Sequence, residues 1–303
     1  MTGRNVGASV YAKLKNLSRE KGVDMQSLVR LYAQQRLLYR ISVTDEGADF
    51  CLKGGLMLAA YNNGDMLRPT EDIDFNGVGD GGVERIEQMT RKAASVEVPE
   101  DGVTFDTSGM RVLKDREGVV PGGKVVLQGH VHTAKVQVRV DVGFNNAVTP
   151  APARRRIPTL LSDVVPCPVI GGYPLETMIS EKLHAIAQFG DDNTRHKDYY
   201  DIWRILETYE IEGSVLSSAI RNTFAHQGRA VDPEMAGLSD AFGTENERAW
   251  KAFLRKTGLD ENVSLVDVIG RMREFLVPAM EGDEPGTWIP EQGWSAPAPG
   301  LAP

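Results

Sequence analysis

The segment Arg68-Pro69-Thr70-Glu71-Asp72-Ile73-Asp74-Phe75 carries two aspartates separated by one apolar residue. On a β-strand side chains alternate between faces, so Asp72 and Asp74 project from the same one. Two carboxylates that close repel each other, and a cation between them relieves the repulsion. Mg²⁺, or Mn²⁺ in its place, suits the position: it takes oxygen ligands, keeps several waters and bridges one or two carboxylates to substrate phosphates. Asp141 stands at a polar position of a second alternating segment and is a candidate third ligand. Three carboxylates would allow two ions, one activating an attacking hydroxyl and one steadying a leaving pyrophosphate.

Two further groups of residues could serve such chemistry. Gly54-Gly55 opens a helix after Lys53, where glycine lets backbone approach a ligand and free N–H groups can meet phosphate. Downstream, Leu175, Ile179, Lys182 and Ile186 fall on one stripe of a helix, which turns Lys182 toward an apolar face. An ammonium there needs a partner, either a triphosphate or a carboxylate. Asp198 and Asp201, three apart on the following helix, share a face and are the candidate carboxylates.

The elements that must position these residues can be read along the chain. The first forty residues are helical in pattern, with Asp24 as cap of a helix bearing Leu28, Leu31, Tyr32 and Leu38. Phe50-Cys51-Leu52 leads into the glycines, a helix follows over Leu56 to Tyr61, and Asn62-Asn63-Gly64-Asp65 breaks it. A short strand over Ile73 to Phe75 precedes a turn at Gly79-Asp80-Gly81-Gly82 and a helix starting near Val83. Strands are expected over Val103 to Leu113, Lys124 to Val131 and Ala134 to Val142, with turns at Pro121-Gly122-Gly123 and His132-Thr133. In the last strand Val136, Val138, Val140 and Val142 alternate with Gln137, Arg139 and Asp141, which puts Asp141 on the polar face. Residues 147–174 are rich in proline and read as a connection. From Leu175 the pattern is helical nearly to Pro278, and the Pro- and Gly-rich end beyond Glu281 reads as extended, with a disordered tail at 296–303.

Composition bounds the function. The chain of 303 residues suits one large domain or two ordinary ones. It has no apolar run long enough to span a membrane and no secretory leader at its start, so a cytoplasmic protein is expected. A net charge of −8 argues against a nonspecific nucleic-acid binder, although Arg154-Arg155-Arg156 could form a local basic patch. Two cysteines, Cys51 and Cys167, are too few and too distant for a disulfide framework and are read as buried free thiols.

Together, Leu52-Lys53-Gly54-Gly55, the Arg68 to Phe75 segment, Glu181-Lys182-Leu183-His184-Ala185-Ile186, Lys197-Asp198-Tyr199-Tyr200-Asp201 and the ending Trp288-Ile289-Pro290 to Gly293-Trp294 resemble the AbiEii/MenT family. These are nucleotidyltransferase toxins of toxin–antitoxin and abortive-infection systems, and the resemblance runs from about Leu37 to Trp294. It implies an α+β fold: a polymerase-β-like mixed sheet with flanking helices over residues 1–165, and a mainly helical domain over 166–295. Asp72 and Asp74 would then face Lys182 across a cleft. It implies Asp72, Asp74, Lys182 and Asp198 as catalytic residues, with Asp201 the alternative to Asp198, and Lys53, Gly54, Gly55, Arg68, Thr70 and Asp201 as nucleotide-binding ones. Asp72, Asp74 and Asp141 would hold metal. The substrate would be an NTP and the acceptor an RNA, foremost the 3′ end of tRNA, with a cognate antitoxin as partner. Thr70 matches a hydroxyl residue that a partner kinase phosphorylates in some members. One departure stands out: related transferases carry Gly-Ser where this chain has Gly54-Gly55, which leaves phosphate binding to backbone groups and to Lys53.

Plainer readings stand beside these. Asp72, Asp74 and Asp141 could be solvated strand residues, Gly54-Gly55 a plain turn, and Lys182 a snorkelling side chain. Asp198 and Asp201 could brace their helix, the hydroxyl of Thr70 could bond nearby backbone, and the three arginines could be a solvated patch. Trp288 and Trp294 read as anchors of the chain end. Three activities are compatible with the motifs: transfer to RNA, nucleotidylation of a protein hydroxyl, and nucleotide binding without transfer.

Overall fold

The computed structural model describes residues 5–114, 122–259, 262–282 and 285–295. Pro121 of the expected turn and the tail from Ala296 lie outside them. The chain divides into two compact units, Met1–Asn145 with Ala153–Gly172, and Asn146–Pro152 with Tyr173–Pro303.

The first unit opens on α1 (Val6–Lys21) and α2 (Met25–Ser42). Asp24 caps α2 by accepting from the Ser27 N–H, and Leu28, Tyr32 and Leu38 are buried as their spacing requires. Then come β1 (Phe50–Lys53), α3 (Gly54–Tyr61), β2 (Asp72–Gly77) and α4 (Val83–Ser95), followed by β3 (Val103–Lys114), β4 (Gly123–Val131), β5 (Ala134–Phe144), β6 (Ala153–Arg156) and β7 (Val169–Gly172). The seven strands form one mixed sheet in the order β3-β4-β5-β2-β1-β7-β6. β2 runs parallel to β5 and β1 parallel to β7; the other neighbours are antiparallel. In β5 the four valines are buried while Gln137 is exposed and Asp141 partly so, the two-faced pattern read from the sequence. His132 takes a left-handed backbone, φ 53°, in the tight β4–β5 turn.

Residues 147–174 are more than a connection. They hold β6 and β7, which extend the sheet beyond β1. Each is four residues long and set among prolines, too short to show a strand period. With them the sheet-bearing unit reaches Gly172. β2 is also longer than the three residues its polar flanks suggested.

An ion cluster without a sequence signature lies inside this unit. Asp101 is fully buried and receives Nε of Arg36 at 2.8 Å and Nη1 of Arg40 at 2.7 Å. Tyr32 donates its hydroxyl to the carbonyl of the same residue at 2.9 Å. These bonds fasten α2 to the segment before β3.

The second unit contains α5 (Leu175–Phe189), α6 (His196–Thr208), α7 (Gly213–His226), α8 (Asp240–Thr257) and α9 (Leu265–Glu281), with β8 (Ile211–Glu212), β9 (Thr287–Ile289) and β10 (Gly293–Trp294). The three short strands form a sheet of their own in the order β10-β9-β8, so the expected extended end is a hairpin. α9 does not stop at Pro278 but passes through it to Glu281. Proline has no N–H for the carbonyl of Glu274, and the indole N–H of Trp294 bonds that carbonyl instead, at 3.1 Å. Trp288 is buried and donates to the Leu206 carbonyl at 2.7 Å, so both tryptophans anchor the chain end. Cys51 is buried, but Cys167 is only half-buried, because it lies in the irregular segment before β7. No helix of the described residues is long and apolar enough to cross a membrane.

His184 and His196 pack edge-on against Phe224 and Trp250 respectively, and burial holds both imidazoles below the ordinary value of 6.5. The unfolded chain then binds protons that the folded one resists. Their contribution to stability is complete above pH 6.5 and is lost as pH falls through the lower folded-state values. Denaturant midpoints should decline between pH 7.5 and pH 5, and His196→Gln should flatten the decline; an unchanged slope would remove His196 as a cause.

Candidate active site

The site of the first unit starts from a glycine. Gly54 follows β1 and opens α3 with φ +69°, a backbone that only glycine adopts without cost. A Cβ built on it would lie 2.1 Å from Oδ2 of Asp74. The Asp74 carboxylate thus fills the space that a side chain at position 54 would need. At Gly55 a Cβ would come 3.0 Å from both Cβ and Oγ1 of Thr70. Gly54 is therefore packed on Asp74 and Gly55 on Thr70, so the glycine pair and the segment that carries the aspartates fit each other.

Asp72 and Asp74 sit at alternate positions of β2 and are both part-exposed, while Ile73 and Phe75 between and beyond them are fully buried. Their carboxylates consequently share the open face. In the ladder Asp74 stands opposite Lys53 on one side and Asp141 on the other. Asp141 also forms an ion pair with Lys124, 2.6 Å away across β4. Lys124 is a partner that the sequence reading did not single out, although its alternation on β4 marks it as facing the same way. Among the described residues no group of three or more His, Cys, Asp or Glu side chains is placed to hold a metal ion. What is assembled is a half-exposed pair.

Thr70 lies before β2, so it does not continue the strand face; its hydroxyl donates to the Asp72 carbonyl at 3.5 Å, a long bond to nearby backbone. Arg68 donates to the Pro69 carbonyl at 3.2 Å. Glu71 pairs with Arg139 at 2.6 Å near the start of β2, where both are exposed.

The second unit gathers the other candidates. Lys182, on α5, reaches Asp198 at 3.2 Å and Asp201 at 2.6 Å, both on α6. Its side chain is 12% exposed and the two carboxylates 1% and 0%. Of the partners foreseen for this lysine, the carboxylates are the ones present. Arg195 adds Nε at 2.7 Å from Asp198, so two cations balance two anions. Burial alone would raise the Asp198 carboxyl, but the charges of Lys182 and Arg195 outweigh it and hold the group below the ordinary carboxylate range. Arg195, too, escaped the sequence reading; its place three residues before Asp198 was the available signal.

The profile of the nucleotidyl transferase AbiEii toxin family, type IV TA system, matches residues 36–269. The chain belongs to this family. It is a nucleotidyltransferase of the toxin class, with NTP as substrate and an antitoxin as the family's counterpart. The fold is similar to that of MenT4, a nucleotidyltransferase toxin from Mycobacterium tuberculosis H37Rv, at 16% identity and TM-score 0.55, covering 91% of this chain and 89% of that one. JHP933 from Helicobacter pylori is more distant, at 12% identity and TM-score 0.49 over 86% of this chain and 95% of that one. No curated protein sequence matches the chain.

Two predictions follow from the packing. Gly54→Ala forces a left-handed alanine, costing roughly 1–2 kcal/mol, and pushes the Asp74 carboxylate from its place. Activity should fall much further than stability, and an alanine variant with wild-type transfer would refute the contact. Lys182→Met keeps the apolar stem but leaves two buried carboxylates short of one cation, which should destabilise the protein by about 3–5 kcal/mol in chemical denaturation. Asp201→Asn added to Lys182→Met should recover part of that loss. A Lys182→Met protein as stable as wild type would show the lysine to be a mere snorkelling group.

Proposed function

We propose that this toxin transfers NMP from an NTP to an RNA acceptor, the 3′ end of tRNA, with Asp72 and Asp74 as the ligands of a divalent cation, Mg²⁺ or Mn²⁺, and that this blocks translation in the cytoplasm. The observation that carries the reading is the carboxylate pair on one face of β2, with Asp74 held against a glycine turn too tight for any side chain.

The donor set fits the ion. Two half-exposed oxygen donors without a third built in suit a cation that keeps waters and takes substrate phosphates as further ligands. Such an ion, when bound, neutralises phosphate charge and lowers the pKa of an attacking hydroxyl. Lys53, the backbone N–H groups of Gly54 and Gly55, Arg68 and Thr70 line the neighbouring chain and are assigned to the phosphates. Asp141, opposite Asp74 but paired with Lys124, would join the cation only when the nucleotide draws Lys124 away. Lys182 and Asp198 are counted among the residues needed for transfer, with Asp201 as the second anchor of the lysine.

Purified protein incubated with labelled NTPs and total RNA should place label in tRNA in a reaction that a chelator stops. Asp72→Ala and Asp74→Ala should each reduce transfer to background while leaving the protein folded, since neither side chain belongs to the apolar core. Label in protein, or nucleotide binding with no label transferred, would reject the RNA reading. Full activity of Asp72→Ala would reject the site.

A further inference from the structure

Arg154-Arg155-Arg156 is the only run of three Lys or Arg residues in a chain of net charge −8, and the transfer chemistry above does not use it. All three stand on β6, the last strand of the seven-stranded sheet, and all are exposed. The direction of their backbone groups follows from one bond. The Ile157 N–H donates to the Pro168 carbonyl at 2.9 Å, one step beyond the pair of Arg156 and Val169. Bonded and non-bonded pairs alternate along an antiparallel ladder. Arg155 and Ile170 are therefore a bonded pair, and Arg154 and Arg156 turn their N–H and C=O groups away from β7. Among the described residues no strand pairs with β6 on that side. Side chains alternate as well. The Arg155 guanidinium stands 4.6 Å over the Tyr61 ring on one face, so Arg154 and Arg156 share the other.

An edge of this kind is a template for another strand unless something blunts it. The opposite edge of the sheet, β3, is broken by a register shift between Asp106 and Arg111. β6 keeps an unbroken register with β7 over all four residues. Its charge decides what can pair with it. A second copy laid antiparallel about Arg155 would set Arg154 against Arg156, like charge on like charge. A strand with carboxylates opposite Arg154 and Arg156 would match both, through charge-assisted hydrogen bonds. Arg154 is held at the edge by donating Nη2 to the Val169 carbonyl at 2.9 Å. Apolar surface lies alongside: Val169, opposite Arg156, is 43% exposed, and Val43, which lines the same groove as Arg154, is 52% exposed.

We propose that β6 is a docking edge for a protein partner, whose extended acidic segment adds to the sheet as a further strand, its backbone bonded to that of Arg154 and Arg156 and its carboxylates paired with their guanidiniums. Arg155, with its backbone bonded to β7 and its side chain on Tyr61, takes no part. The surface does not depend on the transfer reading above, and neither arginine is a catalytic residue.

The test uses the full chain and a short fluorescent peptide of alternating glutamate and valine. The peptide should bind saturably. In the complex the amides of Arg154 and Arg156 should exchange with D2O more slowly, while that of Arg155, already bonded to β7, should not change. R154Q/R156Q should bind the peptide roughly tenfold more weakly with an unchanged thermal midpoint. A peptide with lysine in place of glutamate should ignore the wild type and bind R154E/R156E. N-methylation of the glutamates keeps their charge and removes their N–H groups, and it should abolish binding. A parent peptide that fails to bind would make the arginines a mere guard of the edge and overturn the proposal. So would a methylated peptide that binds as tightly as the parent, or a single-stranded RNA oligonucleotide that binds the two arginines where the peptide does not. A dimer of the free chain that R154P/R156P abolishes would make a second copy the occupant and likewise overturn it.

Discussion

The arrangement of the first unit's candidate site depends on one close approach, the Asp74 carboxylate lying where a side chain at Gly54 would stand. A backbone with φ +69° at that point turns the chain from β1 directly into α3. The turn leaves the helix start and the strand carboxylates side by side, which no residue with a Cβ could permit. Thr70 repeats the relation with Gly55 one residue later. The departure from a Gly-Ser motif is consistent with this packing, because the Thr70 side chain already presses on the position that a serine would occupy.

Charge is handled differently in the two units. In the first, Asp101 is sealed between Arg36 and Arg40 and serves architecture. In the second, Lys182 and Arg195 offset Asp198 and Asp201, and the lysine alone of the three Lys182-centred groups keeps some exposure. Asp72 and Asp74, with Asp141 beside them on β5, instead combine partial exposure with a position on one sheet face. Buried charges need partners in place, whereas an exposed pair can wait for a ligand. That contrast separates the carboxylates that brace the fold from those available to substrate.

Much of this was legible in the sequence because it rests on local periodicity. The helices of the first forty residues, the alternating valines of β5, the Asp24 cap and the Lys182 stripe each follow from spacing that a short window contains. So does the common face of Asp72 and Asp74. The parts that were not legible depend on residues far apart in the chain. β6 and β7 are too short to declare a period and are strands only because β1 offers them an edge. The Asp101 cluster joins residues about sixty positions apart, and nothing around Asp101 announces its two arginines. α9 passes Pro278 because Trp294, sixteen residues on, supplies the missing donor. In each case the deciding partner is tertiary.

The register of β2 is the last link between core and chemistry. A strand that slipped by one residue would bury its aspartates and expose Ile73 and Phe75. What prevents the slip lies beneath the sheet. The ring of Phe50 packs edge-on against Phe75 and against Phe144, each centroid 6.1 Å away, which ties β1, β2 and β5 at the level of the buried face. Gly77, at the end of β2, gives the Phe144 ring its room, since a Cβ there would come within 2.5 Å of it. A displaced strand would set Asn76 or a following residue against that ring in place of the glycine. The aromatic cluster thus specifies the position of Asp72 and Asp74 without touching either, and the polar face is placed by the packing of the apolar one.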